Sequence, residues 1–268
     1  MIVHKLIIPG TNHPIYVNPR DLKGASLMRY KGMTQPRIVH WWRTMTQKIG
    51  PSLVIDAGVN YGEIVLSTVY GSDASITVID ANEVLRPYLT RSIEEHPNGS
   101  QFRIVNAIAS DQLQSSVTFY VDKVRSGNSS AFHLGERAFR EITIPSVTVD
   151  SLFDDRTIKD DTLLFKLDVE GYEWNVLRGM SRLLKEAKEV AGIIEFNMSY
   201  MEKKGVDLRA FVSFLSEHFL LFAPGNRGAL TEIKAPHYES ALQYFTRDKD
   251  CNDLILLTDV EQLAKLKS

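Results

Sequence analysis

Three segments of the sequence contain residues that could do chemistry, and each follows a run of mainly apolar residues. The first reads D-A-G-V-N-Y-G over residues 56–62. Gly58 and Gly62 permit a tight turn and let a ligand approach the backbone closely. We expect a helix over residues 63–70, whose free N–H groups at its start would attract an anionic group. Asp56 would repel a pyrophosphate and suits an ammonium group.

The second segment ends at Asp80, after the apolar run at residues 76–79. A carboxylate about 20 residues after a glycine turn can accept hydrogen bonds from ribose hydroxyls. A nucleoside that carries a cationic amino acid would satisfy both acids, and S-adenosylmethionine has this shape. Its carboxylate could meet the N–H groups of residues 58–62. Alternatively, the glycines only form a tight turn and Asp80 caps the next helix.

The third segment contains Lys166, Asp168 and Glu170, which alternate along a predicted strand and would face the same side of it. Such charges need partners inside a covered parallel sheet, so we expect at least one ion pair. Asp168 is the first candidate for a group that contacts a donor amine or an acceptor hydroxyl. Lys166 is either the partner of these acids or a base with a lowered pKa.

Glu195 and Asn197 end the next predicted strand and are also two residues apart. Together with Asp168 they could form an all-oxygen site, which suits Mg²⁺. Glu195 could instead act as a base without a metal, or orient Lys166.

The elements that position these residues alternate between strand and helix. This alternation of strands and helices predicts an α/β fold with a doubly wound, mostly parallel, Rossmann-like sheet of seven strands. The last two strands have no predicted helix between them, so the last strand should be antiparallel. The predicted core strands cover residues 53–56, 76–80, 102–108, 162–168, 190–196, 219–222 and 254–257, with helices over 63–70, 84–93, 176–184 and 208–215.

The domain organisation follows from where this alternation begins. Residues 50–268 account for one domain, and its ligands should bind at the carboxyl ends of the strands. Residues 1–49 are expected to form an N-terminal extension that packs on this domain and could cover an acceptor site.

Composition excludes several classes of protein. Of the 268 residues, 44% are hydrophobic and 24% are charged, which is typical of a globular chain rather than a disordered one. The net charge of −2 argues against nucleic acid as a partner. The single Cys251 fits a reducing, cytoplasmic compartment. A membrane span is not expected, because no apolar run reaches about 18 residues.

Several of these motifs occur together in a known family. Residues 166–173 read K-L-D-V-E-G-Y-E and residues 176–179 read V-L-R-G. With the turn at residues 56–62 and Asp80, they resemble the FkbM family of S-adenosylmethionine-dependent methyltransferases. Segments 106–111, 127–130 and 148–152 are also similar, so the resemblance covers about residues 50–200. Val59, Asp80 and Met180 stand where other residues are commoner in the family.

The resemblance implies a class I methyltransferase fold and methyl transfer to a hydroxyl, commonly on a sugar or secondary metabolite. A small molecule or a glycan would then be the acceptor. An NAD-dependent oxidoreductase is an alternative, although the turn lacks the third glycine of its motif. A module that binds the cofactor without catalysis is another. The residues expected to bind S-adenosylmethionine are Asp56, Gly58, Asn60, Gly62, Asp80, Ala81, Ala107 and Asp168. The catalytic candidates are Lys166, Asp168 and Glu195. The candidate ligands of Mg²⁺ are Asp168, Glu195 and Asn197.

Overall fold

The strands of the protein form one large sheet and two small ones. The computed structural model describes residues 2–133, 139–225, 228–234, 238–239 and 251–267. In chain order the strands are β1 (His4–Ile7), β2 (Pro14–Val17), β3 (Leu53–Ala57), β4 (Ser75–Ile79), β5 (Phe102–Val105), β6 (Ile108–Ala109), β7 (Gln114–Asp122), β8 (Phe139–Val147), β9 (Thr162–Leu167), β10 (Glu189–Asn197), β11 (Leu220–Pro224), β12 (Leu230–Glu232) and β13 (Cys251–Leu257).

The central sheet has the strand order β12-β11-β13-β10-β9-β3-β4-β5. Neighbouring strands from β10 to β5 are parallel, whereas β13 lies between β10 and β11 and is antiparallel to both. The doubly wound sheet with an antiparallel last strand is therefore confirmed. β12, a three-residue edge strand, is an addition to the seven predicted strands. The predicted strand at residues 102–108 is divided, because β6 joins a separate sheet with β7 and β8.

Helices cover both faces of the central sheet. They are α1 (Leu22–Arg29), α2 (Pro36–Ile49), α3 (Arg86–Glu94), α4 (Glu173–Arg178), α5 (Ser181–Glu186), α6 (Met198–Lys203), α7 (Leu208–His218) and α8 (Val260–Lys267). Among the described residues, no helix is both long enough and apolar enough to span a membrane.

Two helix predictions are wrong in their extent. The segment at residues 63–70 forms only a short 3-10 turn at Val65–Ser67. Ile64, Val65 and the following Thr68-Val69 pair are β-branched, and such residues lose side-chain freedom in a helix. The predicted helix at residues 176–184 is split into α4 and α5 at Gly179. A Cβ atom on Gly179 would lie 1.9 Å from the carbonyl oxygen of Ser110, so only glycine permits this contact.

The described N-terminal residues pack into the same core as the sheet. Side chains from β2, α1 and α2, such as Ile15, Leu27 and Trp42, are buried in one cluster with Val54 and Ile76 of the sheet. The indole nitrogen of Trp42 also donates to the hydroxyl of Tyr70 at 2.8 Å. These contacts hold α1 and α2 against the central sheet. 

Asp21 connects three parts of the chain near that edge of the sheet. Its carboxylate caps α1 by accepting a hydrogen bond from the backbone N–H of Gly24 at 3.1 Å. It also accepts from the backbone N–H and the hydroxyl of Ser126, at 2.8 and 2.7 Å, and from the hydroxyl of Tyr61 at 2.9 Å. Asp21 therefore joins the N-terminal segment to the glycine turn and to the loop after β7.

Replacing Asp21 by alanine should destabilise the protein more than the loss of a helix cap alone. Asp207 is a matched control, because it caps α7 and accepts only from Arg209 and Ala210 among the described groups. We expect Asp207→Ala to lower the free energy of unfolding by about 1 kcal/mol and Asp21→Ala by roughly 2–4 kcal/mol. Urea unfolding followed by circular dichroism measures both values. Equal losses would show that the contacts to Ser126 and Tyr61 contribute nothing.

Candidate active site

A cavity of about 360 Å³ lies at the carboxyl ends of β3, β4, β9 and β10. Ligands of doubly wound sheets bind at this edge, where the connections diverge. α1 and the loop after β7 form the opposite wall through Lys23 and residues 125–129. Of the predicted site residues, the cavity is lined by Asp56, Gly58, Asn60, Asp80, Ala81, Ala107, Lys166, Asp168, Glu195 and Asn197, whereas Gly62 does not line it.

Gly58 allows the turn after β3 to pack directly on the end of β9. Its φ is +81°, and a Cβ atom there would lie 1.8 Å from the carbonyl oxygen of Asp168. The backbone N–H of Asp168 in turn donates to the carbonyl of Ala57 at 3.0 Å. The glycine turn and Asp168 are therefore held against each other at the cavity wall.

The backbone N–H groups of this turn are engaged within the protein. Those of Gly58 and Val59 donate to the carbonyl of Ile79, and that of Gly62 donates to Val59. The N–H groups of residues 60 and 61 donate to the side-chain oxygens of Asp80 and Asn60. Each of the five has an acceptor within the protein and no α-helix directly follows the turn, which disfavours the prediction that they receive an anionic group.

The Asp80 carboxylate is fixed at the end of β4. One oxygen accepts from the N–H of Asn60 at 2.8 Å and the other from the N–H of Asn82 at 2.8 Å. Burial raises the pKa of Asp80 to about 6, against the opposing effect of these two hydrogen bonds. Each carboxylate oxygen can accept more than one hydrogen bond. Asp80 can therefore also bind hydroxyl groups that enter the cavity.

Lys166 neutralises acidic groups from two adjacent strands. Its Nζ lies 2.8 Å from Oδ2 of Asp168, and Asp56 is its register partner on β3. Burial would lower the pKa of Lys166, but the carboxylates of Asp168 and Asp56 raise it above its usual value. Lys166 is therefore a charged partner, as one of the two interpretations predicts, and cannot serve as a base at neutral pH.

The pKa values of Asp168 and Asp56 are shifted in opposite directions. Burial alone would raise the pKa of Asp168, but Lys166 outweighs it and holds the pKa below its ordinary value. For Asp56, burial dominates and raises the pKa to about 7 although Lys166 opposes it. Oδ1 of Asp56 is buried and has no hydrogen-bond partner among the described residues. This orphaned oxygen at the cavity wall fits a cationic ligand group.

Glu173 stabilises the turn that reverses the direction of the chain after β9, a role that the sequence pattern alone did not reveal. One of its oxygens accepts from the N–H groups of Val169 and Gly171, at 3.0 and 3.2 Å. Glu170 and Gly171 both have positive φ, 55° and 93°. Glu173 thus stabilises a backbone turn that brings the Glu170 carboxylate back toward Asp168.

The sequence was compared with family models and with solved structures. A model described as a methyltransferase FkbM domain matches residues 56–221, which is more than half of the chain. The chain belongs to the FkbM methyltransferase family. The predicted family and its class I methyltransferase fold are thereby confirmed, and membership disfavours the NAD-dependent alternative. No curated protein sequence matches the chain.

Three of the solved structures that resemble this FkbM-family protein are methyltransferases with low sequence identity. Methyltransferase FkbM from Methylobacillus flagellatus is 12% identical with a TM-score of 0.46, covering 78% of this chain and 44% of its own. This chain thus spans less than half of that protein. An O-methyltransferase from Bacillus cereus, in complex with SAH, is 9% identical with a TM-score of 0.46. The match covers 89% of this chain and 88% of that protein's chain. Magnesium protoporphyrin IX methyltransferase from Synechocystis, with bound SAM, is 14% identical with a TM-score of 0.40. The match covers 84% of this chain and 77% of that protein's chain.

The predicted Mg²⁺ ligands of this FkbM-family protein do not fit a metal as a set. The side-chain oxygen of Asn197 accepts from the N–H of Tyr200 at 3.1 Å and caps α6. Carboxylate oxygens of Asp168, Glu170 and Glu195 do lie within 4.8 Å of one another. However, the ammonium of Lys166 already pairs with Asp168, with its Nζ 2.8 Å from Oδ2. We therefore derive no catalytic step through a metal ion.

Sequence reasoning missed several residues that line the cavity. Lys23 comes from α1, far along the chain from the motifs, while Tyr172 and Tyr200 come from the segments after β9 and β10. No local pattern identifies Lys23, because its position at the cavity depends on how the N-terminal segment packs. The two tyrosines lie within a few residues of recognised strand ends, so distance from those ends could have indicated them.

Replacing Lys166 by methionine should destabilise the protein in a pH-dependent manner. Removing one partner of a buried ion pair costs about 3–5 kcal/mol. The loss should be greatest near pH 8, where Asp56 and Asp168 are ionised, and smaller near pH 5, where their pKa values in the variant, raised by burial, allow protonation. Lys265→Met is the control, because Lys265 pairs with Glu189 at an exposed position and should cost less than about 1 kcal/mol. A loss that is the same at both pH values would contradict this role of Lys166.

Proposed function

We propose that this protein is an S-adenosylmethionine-dependent O-methyltransferase that acts on a hydroxyl of a sugar, a glycan or a secondary metabolite. The observation that carries the proposal is the pair of carboxylates, the buried Asp56 and the half-buried Asp80, at adjacent strand ends of one cavity. Asp56 has an orphaned oxygen that suits an ammonium group, and Asp80 is held where it can accept from ribose hydroxyls. When bound, S-adenosylmethionine supplies an electrophilic methyl group on a sulfonium.

The residues next to Asp80 suit a flat, apolar ring. Ala81 and Ala107 are buried and line the cavity, and Ala81, Ile108 and Phe119 belong to one apolar cluster. Small side chains at 81 and 107 leave room for an adenine beside the ribose. The nucleoside would therefore extend from Ala107, past Asp80, toward Asp56 and Asp168.

Asp168 and Glu195 are the groups that would act on the acceptor. Asp168 is ionised at neutral pH because Lys166 lowers its pKa, and it shares a hydrogen bond with Glu195. Bound S-adenosylmethionine would supply its methyl carbon to the acceptor oxygen, and the electron pair of the broken carbon–sulfur bond would stay on sulfur. The oxygen then carries positive charge, so its proton is acidic enough for a carboxylate of lowered pKa to accept. Asp168 thus accepts the proton of the hydroxyl, and Glu195 helps to orient it.

The remaining lining favours a hydroxylated acceptor. Ser126, Asn128 and Ser129 offer donors and acceptors on one wall, and Tyr172 and Tyr200 offer aromatic surface on the other. A sugar or a hydroxylated metabolite presents both polar groups and an apolar face. A cavity with polar groups converging on aromatic side chains therefore suits such an acceptor.

Variants of two aspartates should separate cofactor binding from turnover. Asp80→Ala should raise the Kd for S-adenosylhomocysteine about 10- to 100-fold, measured by isothermal titration calorimetry. Asp168→Asn should abolish turnover or lower kcat by at least about 100-fold. Turnover is measured as transfer from methyl-labelled S-adenosylmethionine to a panel of hydroxylated glycans and metabolites.

Asp160→Asn, at an exposed position away from the cavity, is the control and should change neither value. Full activity of Asp168→Asn would contradict the role of Asp168. Tight cofactor binding with no transfer to any member of the panel would favour the non-catalytic module. Turnover should be unchanged by a chelator, whereas loss with a chelator and rescue by Mg²⁺ would restore the metal-dependent alternative.

A further inference from the structure

The carboxylate of the cofactor needs a partner that the glycine turn does not provide. S-adenosylmethionine carries a carboxylate next to its ammonium group, and the acids around Asp56 would repel it. The backbone N–H groups of residues 58–62 already donate to acceptors within the protein. A desolvated carboxylate without donors is costly, so a cation on another wall of the cavity must compensate it.

Among the described residues, the cations that line the cavity are Lys23, Lys166 and Arg125. Lys166 is committed to Asp168 and Asp56, as described above. Arg125 is exposed and lies in the loop after β7. Lys23 differs from both, because its side chain is only 15% exposed and it projects from α1, which is anchored in the core.

The environment of Lys23 holds its ammonium in place through an ion pair with Glu63 and one hydrogen bond, and does not use all of its donors. Its Nζ donates to the hydroxyl of Thr34 at 2.9 Å and lies 3.4 Å from a carboxylate oxygen of Glu63. The Glu63 carboxylate is already engaged at closer range. It accepts from the N–H of Gln35 at 2.7 Å and from the N–H and hydroxyl of Thr34 at 2.5 and 2.6 Å. An ammonium has three donors, so Lys23 retains the capacity to bind another anionic group.

We propose that Lys23 binds the carboxylate of S-adenosylmethionine, and that the N-terminal segment thereby completes the donor site. This inference rests on the proposed function and adds a residue to it. Lys23 also faces the acidic wall across the cavity, since its charge acts on Asp168. The amino-acid part of the cofactor would then lie between Asp56, which faces the ammonium, and Lys23, which faces the carboxylate.

This assignment gives the N-terminal segment a direct role in the donor site. The family model begins at residue 56, so Lys23 lies outside the matched region. The Asp21 side chain, two residues before Lys23, ties α1 to the glycine turn through Tyr61. The same contact that orders α1 therefore also sets the distance from Lys23 to the cofactor.

The test compares two ligands that differ only in the carboxylate. Isothermal titration calorimetry would measure the Kd of the full chain for S-adenosylmethionine and for decarboxylated S-adenosylmethionine. Lys23→Gln should weaken binding of the first ligand about 10- to 100-fold, the range of a lost charge-assisted hydrogen bond. It should leave binding of the second unchanged, and Lys23→Arg should retain most of the affinity for the first. Lys185→Gln, at an exposed position on α5, is the control and should change neither.

The outcomes distinguish this inference from the proposed function. An equal loss for both ligands, or no loss for S-adenosylmethionine, would overturn the role of Lys23 while leaving the proposed function intact. The unchanged binding of the decarboxylated ligand also shows that the variant is folded. If the wild-type protein binds neither ligand, the proposed function fails together with this inference.

Discussion

The buried ammonium of Lys166 is the interaction on which the cavity depends. It lies against Asp168 on its own strand and opposite Asp56 on the neighbouring strand, with a side chain only 4% exposed. Carboxylates from two central strands could not be ionised side by side in this interior without a positive charge between them. One lysine does not neutralise all the acids around it, so the site keeps an excess of negative charge. That excess suits a donor that is itself a cation.

The backbone around this charge cluster is fixed by contacts that allow little variation. Gly58 packs on the carbonyl of Asp168 at a distance that excludes any side chain, and Glu173 stabilises the reversal that follows. On the opposite wall, Asp21 holds α1 to the glycine turn. The proposed donor site is thus built by three segments that are distant in sequence. Methyl transfer needs such rigidity, because an in-line displacement depends on alignment of the reacting atoms.

Much of this arrangement could be predicted from the sequence, because it depends on local patterns. The alternation of apolar runs and helical patterns predicted the doubly wound sheet. The positions of Asp56, Asp80 and Asp168 at the ends of those runs predicted that they lie at one edge of it. The predictions that failed depend on the surroundings of the residues. The segment at 63–70 could not be recognised as a single 3-10 turn, and Asn197 could not be recognised as a helix cap rather than a metal ligand. Lys23 reaches the cavity only through packing of α1 on the core, which no local pattern encodes.

Every role proposed above depends on the cavity at the ends of β3, β4 and β9 holding S-adenosylmethionine. A crystal structure determined with S-adenosylhomocysteine bound tests this claim most directly. The ribose hydroxyls should lie within hydrogen-bond distance of Asp80, and the ammonium should lie beside Asp56. Density for the ligand outside this cavity, or inside it with the ribose away from Asp80, would contradict the account.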